Sequence, residues 1–210
     1  MENKIEQDNF KKSVIYHHQK IDNYTLFSVI SECQKYCFVT ERTWNASKQK
    51  LAFIGLYPQN SILTYWNSEL LAYKEFSQYL DGGIYGGIYM LNLYPLICAK
   101  TSDILQYDGE MFDKNISYIR HTLNKSSKVF CAWGDSVFRR AGKLKWHTNM
   151  ADHFLKSIPL DCLYSFGVLK SGHPSHLISR DGGSDLFFFL ESLKRGKKLK
   201  DYCYQPNFNL

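Results

Sequence analysis

Four short apolar runs, each closed by a residue that breaks regular structure, constrain this chain more than any other feature. They are residues 50–54, ended by Gly55 and Pro58; 87–93, ended by Pro95; 128–134, ended at Trp133-Gly134; and 163–168. Runs of this length bounded by Gly and Pro read as buried strands. The segments between them carry apolar residues at helical spacing. Leu70, Leu71, Tyr73, Phe76 and Tyr79 mark a helix over 67–79, stopped by Asp81-Gly82-Gly83. Helical patterns follow at 111–123 and 139–157, and a closing one at 184–193. Strands alternating with helices predict an α/β fold, a three-layer sandwich with helices on both faces of a mainly parallel four-stranded central sheet.

A chain of 210 residues suits one packed core better than two. Residues 1–25 are polar and weakly patterned, include His17-His18, and read as an N-terminal arm or first helix. From 26 to 39 apolar residues come in short clusters. The α/β domain is expected over 26–195 and a basic C-terminal tail over 196–210. The run Lys194-Arg195-Gly196-Lys197-Lys198-Leu199-Lys200 reads as a solvated terminus, with contact to a nucleic-acid backbone as the alternative.

No apolar run approaches the roughly 18 residues of a membrane span. Residues 1–8 are polar and acidic, where a secretory signal would be basic and then apolar. A cytoplasmic protein is expected. Of the six cysteines, Cys98 and Cys131 sit in apolar runs and read as buried thiols. Cys33 and Cys37 would share a face if their stretch were helical, and no CxxC or HxxxH occurs, so neither a metal nor another cofactor is expected. The net charge of +6 is compatible with a polyanionic partner without requiring one.

In parallel sheets ligands bind beyond the carboxyl ends of the strands. The unusual polar residues lie there, at Gly55-Leu56-Tyr57-Pro58-Gln59-Asn60-Ser61 and at Gly172-His173-Pro174-Ser175-His176-Leu177-Ile178-Ser179. The succession strand-Gly-x-x-Pro, strand-Leu-Asn-Leu, strand-Ala-Trp-Gly and Gly-His-Pro-Ser-x-Leu resembles the uracil-DNA glycosylase superfamily, and especially a divergent branch found in bacteria and phages. The likeness spans about residues 36–195. It implies a glycosylase-like fold and an enzyme that flips a base out of duplex DNA and hydrolyses its N-glycosidic bond, leaving an abasic site.

By that resemblance His173 donates to the carbonyl of the departing base, where negative charge develops. Asn92 reads the base's hydrogen-bonding edge, Leu177 is the wedge that fills the vacated stack, and Ser175, with His176 and Ser179 beside it, clamps the neighbouring phosphates. Each has a plainer reading: a capping histidine, an asparagine at a strand end, a loop leucine. Trp133 reads as packing, with Asp135 or Ser136 capping the next helix. Tyr65 and Trp66 are candidates to stack on the flipped base, or else to bury against the first helix.

The first motif departs from the family. Tyr57 stands where the best-known members carry an aspartate that positions the attacking water. A phenol, with a reference pKa of about 10, is a poor base at neutral pH. The water then falls to Asn60, to Gln59 or a carbonyl of the Gly55 loop, or to a distant acid such as Glu69, with the loop preferred. Gln59 replaces the family tyrosine that excludes substituents at pyrimidine C5, which suggests a C5-modified target such as the hypermodified DNA of some phages. DNA is the expected partner, with no obligatory protein partner. The alternatives are an inactive module that binds modified DNA and a hydrolase of free nucleosides or nucleotides.

Overall fold

The computed structural model describes residues 14–21, 23–59, 68–99, 104, 109–135, 154, 163–166, 169 and 173–176. Seven strands form one mixed sheet in the order β1-β2-β3-β5-β4-β6-β7. They are β1 (Val14–Ile21), β2 (Tyr24–Ser31), β3 (Cys37–Thr43), β4 (Gln49–Gly55), β5 (Tyr85–Asn92), β6 (Val129–Cys131) and β7 (Leu163–Ser165). Two helices, α1 (Ser68–Tyr79) and α2 (Gly109–Leu123), fall at the first two helical patterns. The pattern at 139–157 is described only at Phe154, and that at 184–193 lies outside the described residues.

The expectation of a mainly parallel, four-stranded sandwich is overturned. The four apolar runs are strands, and β5, β4, β6 and β7 do pair in parallel. The sheet continues past β5, however, through β3, β2 and β1, all paired antiparallel. Residues 14–43, expected as an arm and loose clusters, make this meander.

Their strand character was masked for a physical reason. β1 is an edge strand, and its central residues from Tyr16 to Lys20 are exposed whichever face they point to, so it shows no apolar alternation. In β2 the register slips at Val29 and Ile30, which breaks the two-residue period there. Cys33 and Cys37 accordingly lie in a turn and at the start of a strand, not on a helix; Cys33 is an exposed free thiol, while Cys37, Cys98 and Cys131 are buried ones.

Strands buried on both faces need no alternation, which is why the central runs were legible. Successive side chains of β4 enter opposite cores. Leu51 and Phe53 join Leu70, Tyr73 and Phe76 of α1, Ile88 and Met90 of β5, and Phe130 of β6. Ala52 and Ile54 join Phe112, Ile116 and Ile119 of α2, with Leu91, Val129, Cys131 and Trp133. α1 therefore covers one face of the sheet and α2 the other. α1 stops where the sequence indicated: a short 3-10 turn, Leu80–Gly82, leads to Gly83 in the left-handed conformation. Among the described residues no helix is long and apolar enough to cross a membrane.

Candidate functional site

The carboxyl ends of β5, β4 and β6 lie side by side, and the chain beyond each is tied to its neighbour. After β4, residues 55–59 run beside the continuation of β5. The Leu93 N–H donates to the Gly55 carbonyl (2.9 Å), Tyr94 to Leu56 (2.9 Å) and Cys98 to Pro58 (3.0 Å). On the other side the Ala132 N–H donates to Ile54 (2.8 Å). The second motif docks onto the end of β6, where the Gly134 N–H donates to the Pro174 carbonyl (3.0 Å). The Leu169 N–H donates to the His173 main-chain carbonyl (2.8 Å).

Two glycines make this packing feasible. A Cβ on Gly55 would stand 3.0 Å from the Asn92 side chain, so glycine lets that amide approach the exit of β4 without either having to shift. Gly134 has φ +66°, in the left-handed region, and turns the chain sharply at the end of β6. A Cβ there would lie 3.9 Å from the Cβ of His176, which places the second motif directly over the turn.

Asn92 is buried. The orientation that satisfies both ends of its amide turns Nδ2 onto the carbonyls of Tyr57 (3.2 Å) and Leu91 (3.3 Å). The main-chain carbonyl of Asn92 accepts from Nδ2 of Asn115 (2.9 Å), a fully buried residue of α2 that also donates to Leu93 O (3.3 Å). In this orientation the Asn92 side chain ties β5 to the first motif. Tyr57 is half-buried with its side chain packed against the α2 core, whereas Gln59 is exposed.

His173 is 5% exposed, and burial holds its imidazole below the ordinary value of 6.5, with the Asp135 carboxylate pulling the other way. Asp135, immediately after Gly134, is itself only 7% exposed. Because native His173 takes up a proton less readily than the unfolded chain, its contribution to stability is complete above pH 6.5 and is lost as pH falls from there through the lower folded value. In an NMR titration of the His173 ring the midpoint is expected below 6.5, and Asp135→Asn is expected to move it further down. An unchanged midpoint in that variant would show that the two side chains do not face each other.

The structure therefore gathers Gly55, Tyr57, Gln59 and Asn92 at one strand exit, and His173, with half-buried Ser175 and His176, at the neighbouring one. Asn60, Tyr65, Trp66, Leu177 and Ser179 lie outside the described residues, as does the side chain of Glu69. Asp135, with Ser136 a candidate cap for the next helix, is buried within electrostatic reach of His173, and the segment it would cap lies outside the described residues. No group of metal-binding side chains occurs among the described residues.

A family model described as "Protein of unknown function (DUF1643)" matches residues 38–176. Neither a curated protein nor a solved structure matches the chain. The matched span begins in β3 and ends at His176, so it takes in both strand-exit motifs, Asn92, Asp135 and His173. Because the match covers well over half of its length, the chain belongs to the DUF1643 family.

Proposed function

We propose that this protein hydrolyses an N-glycosidic bond, releasing a base from DNA and leaving an abasic site, in the manner of the uracil-DNA glycosylase superfamily that its motifs resemble. The observation that carries this reading is His173, buried and kept neutral at the carboxyl edge of parallel strands. A neutral imidazole offers one N–H to a base carbonyl. That hydrogen bond strengthens as the C–N bond lengthens and the base gains negative charge.

The substrate we favour is a pyrimidine with a polar C5 substituent. Gln59 is exposed beside the strand exits, so a C5 group meets a flexible amide there in place of a rigid aromatic wall. The net charge of +6 suits a polyanion such as DNA.

The test is incubation with genomic DNAs carrying different natural base modifications, reading released base by mass spectrometry and abasic sites by alkali-labile breaks. Release of a C5-modified pyrimidine is expected. Release of plain uracil with no action on C5-modified DNA would overturn the substrate, and no release from any DNA would overturn the reaction. The packing of Tyr57 into the core favours one rival, an inactive module for modified bases. That rival predicts binding to the same DNAs without release.

A further inference from the structure

We propose that Asn115 of α2 is a positioning residue for this site, stitching the bend at which β5 ends and so setting where Asn92 and the first motif stand. Its part in catalysis rests on the base-excision reading above, and its part in the geometry does not.

Asn115 lies at helical spacing with Phe112 and Ile119, on the face of α2 that packs into the core, and is fully buried there. On stability alone an amide is poorly suited to that position. Asparagine is a weaker helix former than leucine. Its Oδ1 has no hydrogen-bond partner among the described residues, an unfavourable state for a buried acceptor. What the amide supplies, and an apolar side chain cannot, is a nitrogen with two hydrogens.

Nδ2 donates to consecutive main-chain carbonyls, Asn92 at 2.9 Å and Leu93 at 3.3 Å. In an extended strand successive carbonyls point in opposite directions, so one nitrogen can serve both only where the chain has left the strand. β5 ends at Asn92, and Leu93 and Tyr94 form a bend. From that bend come the bonds that hold the first motif. The Leu93 and Tyr94 N–H groups donate to Gly55 and Leu56, and the Asn92 side chain reaches the Tyr57 carbonyl. An unbroken line of hydrogen bonds thus runs from α2 through the end of β5 to residues 55–57. Small misplacements of groups that meet a substrate cost rate steeply, so a clamp behind them acts on catalysis without touching the substrate.

The test compares the full wild-type chain with Asn115→Leu, which matches the amide in shape but has no donor, and Asn115→Asp, which puts an oxygen where the donor was. Hydrogen exchange is read at the amides of Leu93, Tyr94 and Cys98, which bond to residues 55–58, and at Ala52 in the middle of β4, which donates to Lys128. In both variants the first three are expected to quicken at least about 10-fold more than Ala52, as a local opening of the strand exits. Equal acceleration at all four, or none, overturns the assignment. Base release from modified DNA is expected to slow at least about 10-fold with affinity changed by less than about threefold, and release at the wild-type rate overturns the positioning role. If wild type releases no base from any DNA, the base-excision reading fails, and the exchange pattern still decides whether Asn115 sets the strand exits. Should neither variant fold, wild type answers alone: the Asn115 side-chain amide protons are expected to be protected, and exchange at the rate of an exposed amide overturns the assignment.

Discussion

On the proposed base-excision reading, His173→Ala is expected to lower the rate of base release by about 10²–10³-fold, the cost typical of removing one donor from a developing oxyanion, while affinity for the same duplex changes by less than about threefold. The asymmetry follows from when the hydrogen bond matters. The ground-state carbonyl is a modest acceptor, and the departing base anion is a strong one. His173→Gln recovers part of the rate, because its amide still presents an N–H. Single-turnover release measured beside a binding titration checks this. Equal losses in rate and affinity would instead make His173 a residue of uniform binding, or of folding. The acid limb of the rate should lie below pH 6.5, since burial keeps the imidazole neutral down to that region.

Phe53→Ala destabilises the fold by about 3–5 kcal/mol, the usual range for emptying a buried aromatic site. Phe53 is fully buried in the middle of β4. It stacks on Tyr73 of α1 with ring centroids 4.2 Å apart and on Phe130 of β6 at 5.6 Å, with Phe76 meeting it edge-on at 6.2 Å. Truncation leaves these rings without the surface they share, and neighbours on two strands and a helix cannot all move in to fill it. At roughly 2–4 °C per kcal/mol for a chain of this size, the melting temperature falls by about 10 °C. Leu71→Ala, at an exposed position of α1, is the control and should stay within about 0.5 kcal/mol. A cost below about 1 kcal/mol at Phe53 would mean that the aromatic stack does not hold α1 to the sheet.

The central strands were legible because burial on both faces forces continuous apolar runs, and Gly and Pro mark where those runs stop. Both described helices were legible because each lays one apolar side on a core. The edge meander was not. The exposed centre of β1 carries no pattern for periodicity to detect, and what makes it a strand is the hydrogen-bonded partner β2.

The site divides in the same way. The two strand-exit motifs could be recognised from residue type and order, but the roles of Asn92 and Asp135 depend on geometry across the sheet. Asn92 reaches the Tyr57 carbonyl beside Gly55, and Asp135 comes within electrostatic reach of His173 just after the left-handed turn at Gly134. The sequence by itself therefore determined which segments are buried strands and where the polar exits lie, since both follow from local composition and period. Only the tertiary structure decided that the sheet has seven strands of mixed direction and that an acid lies buried beside the histidine. Strand pairing and the meeting of side chains distant in sequence are contacts between segments, and no local pattern encodes them.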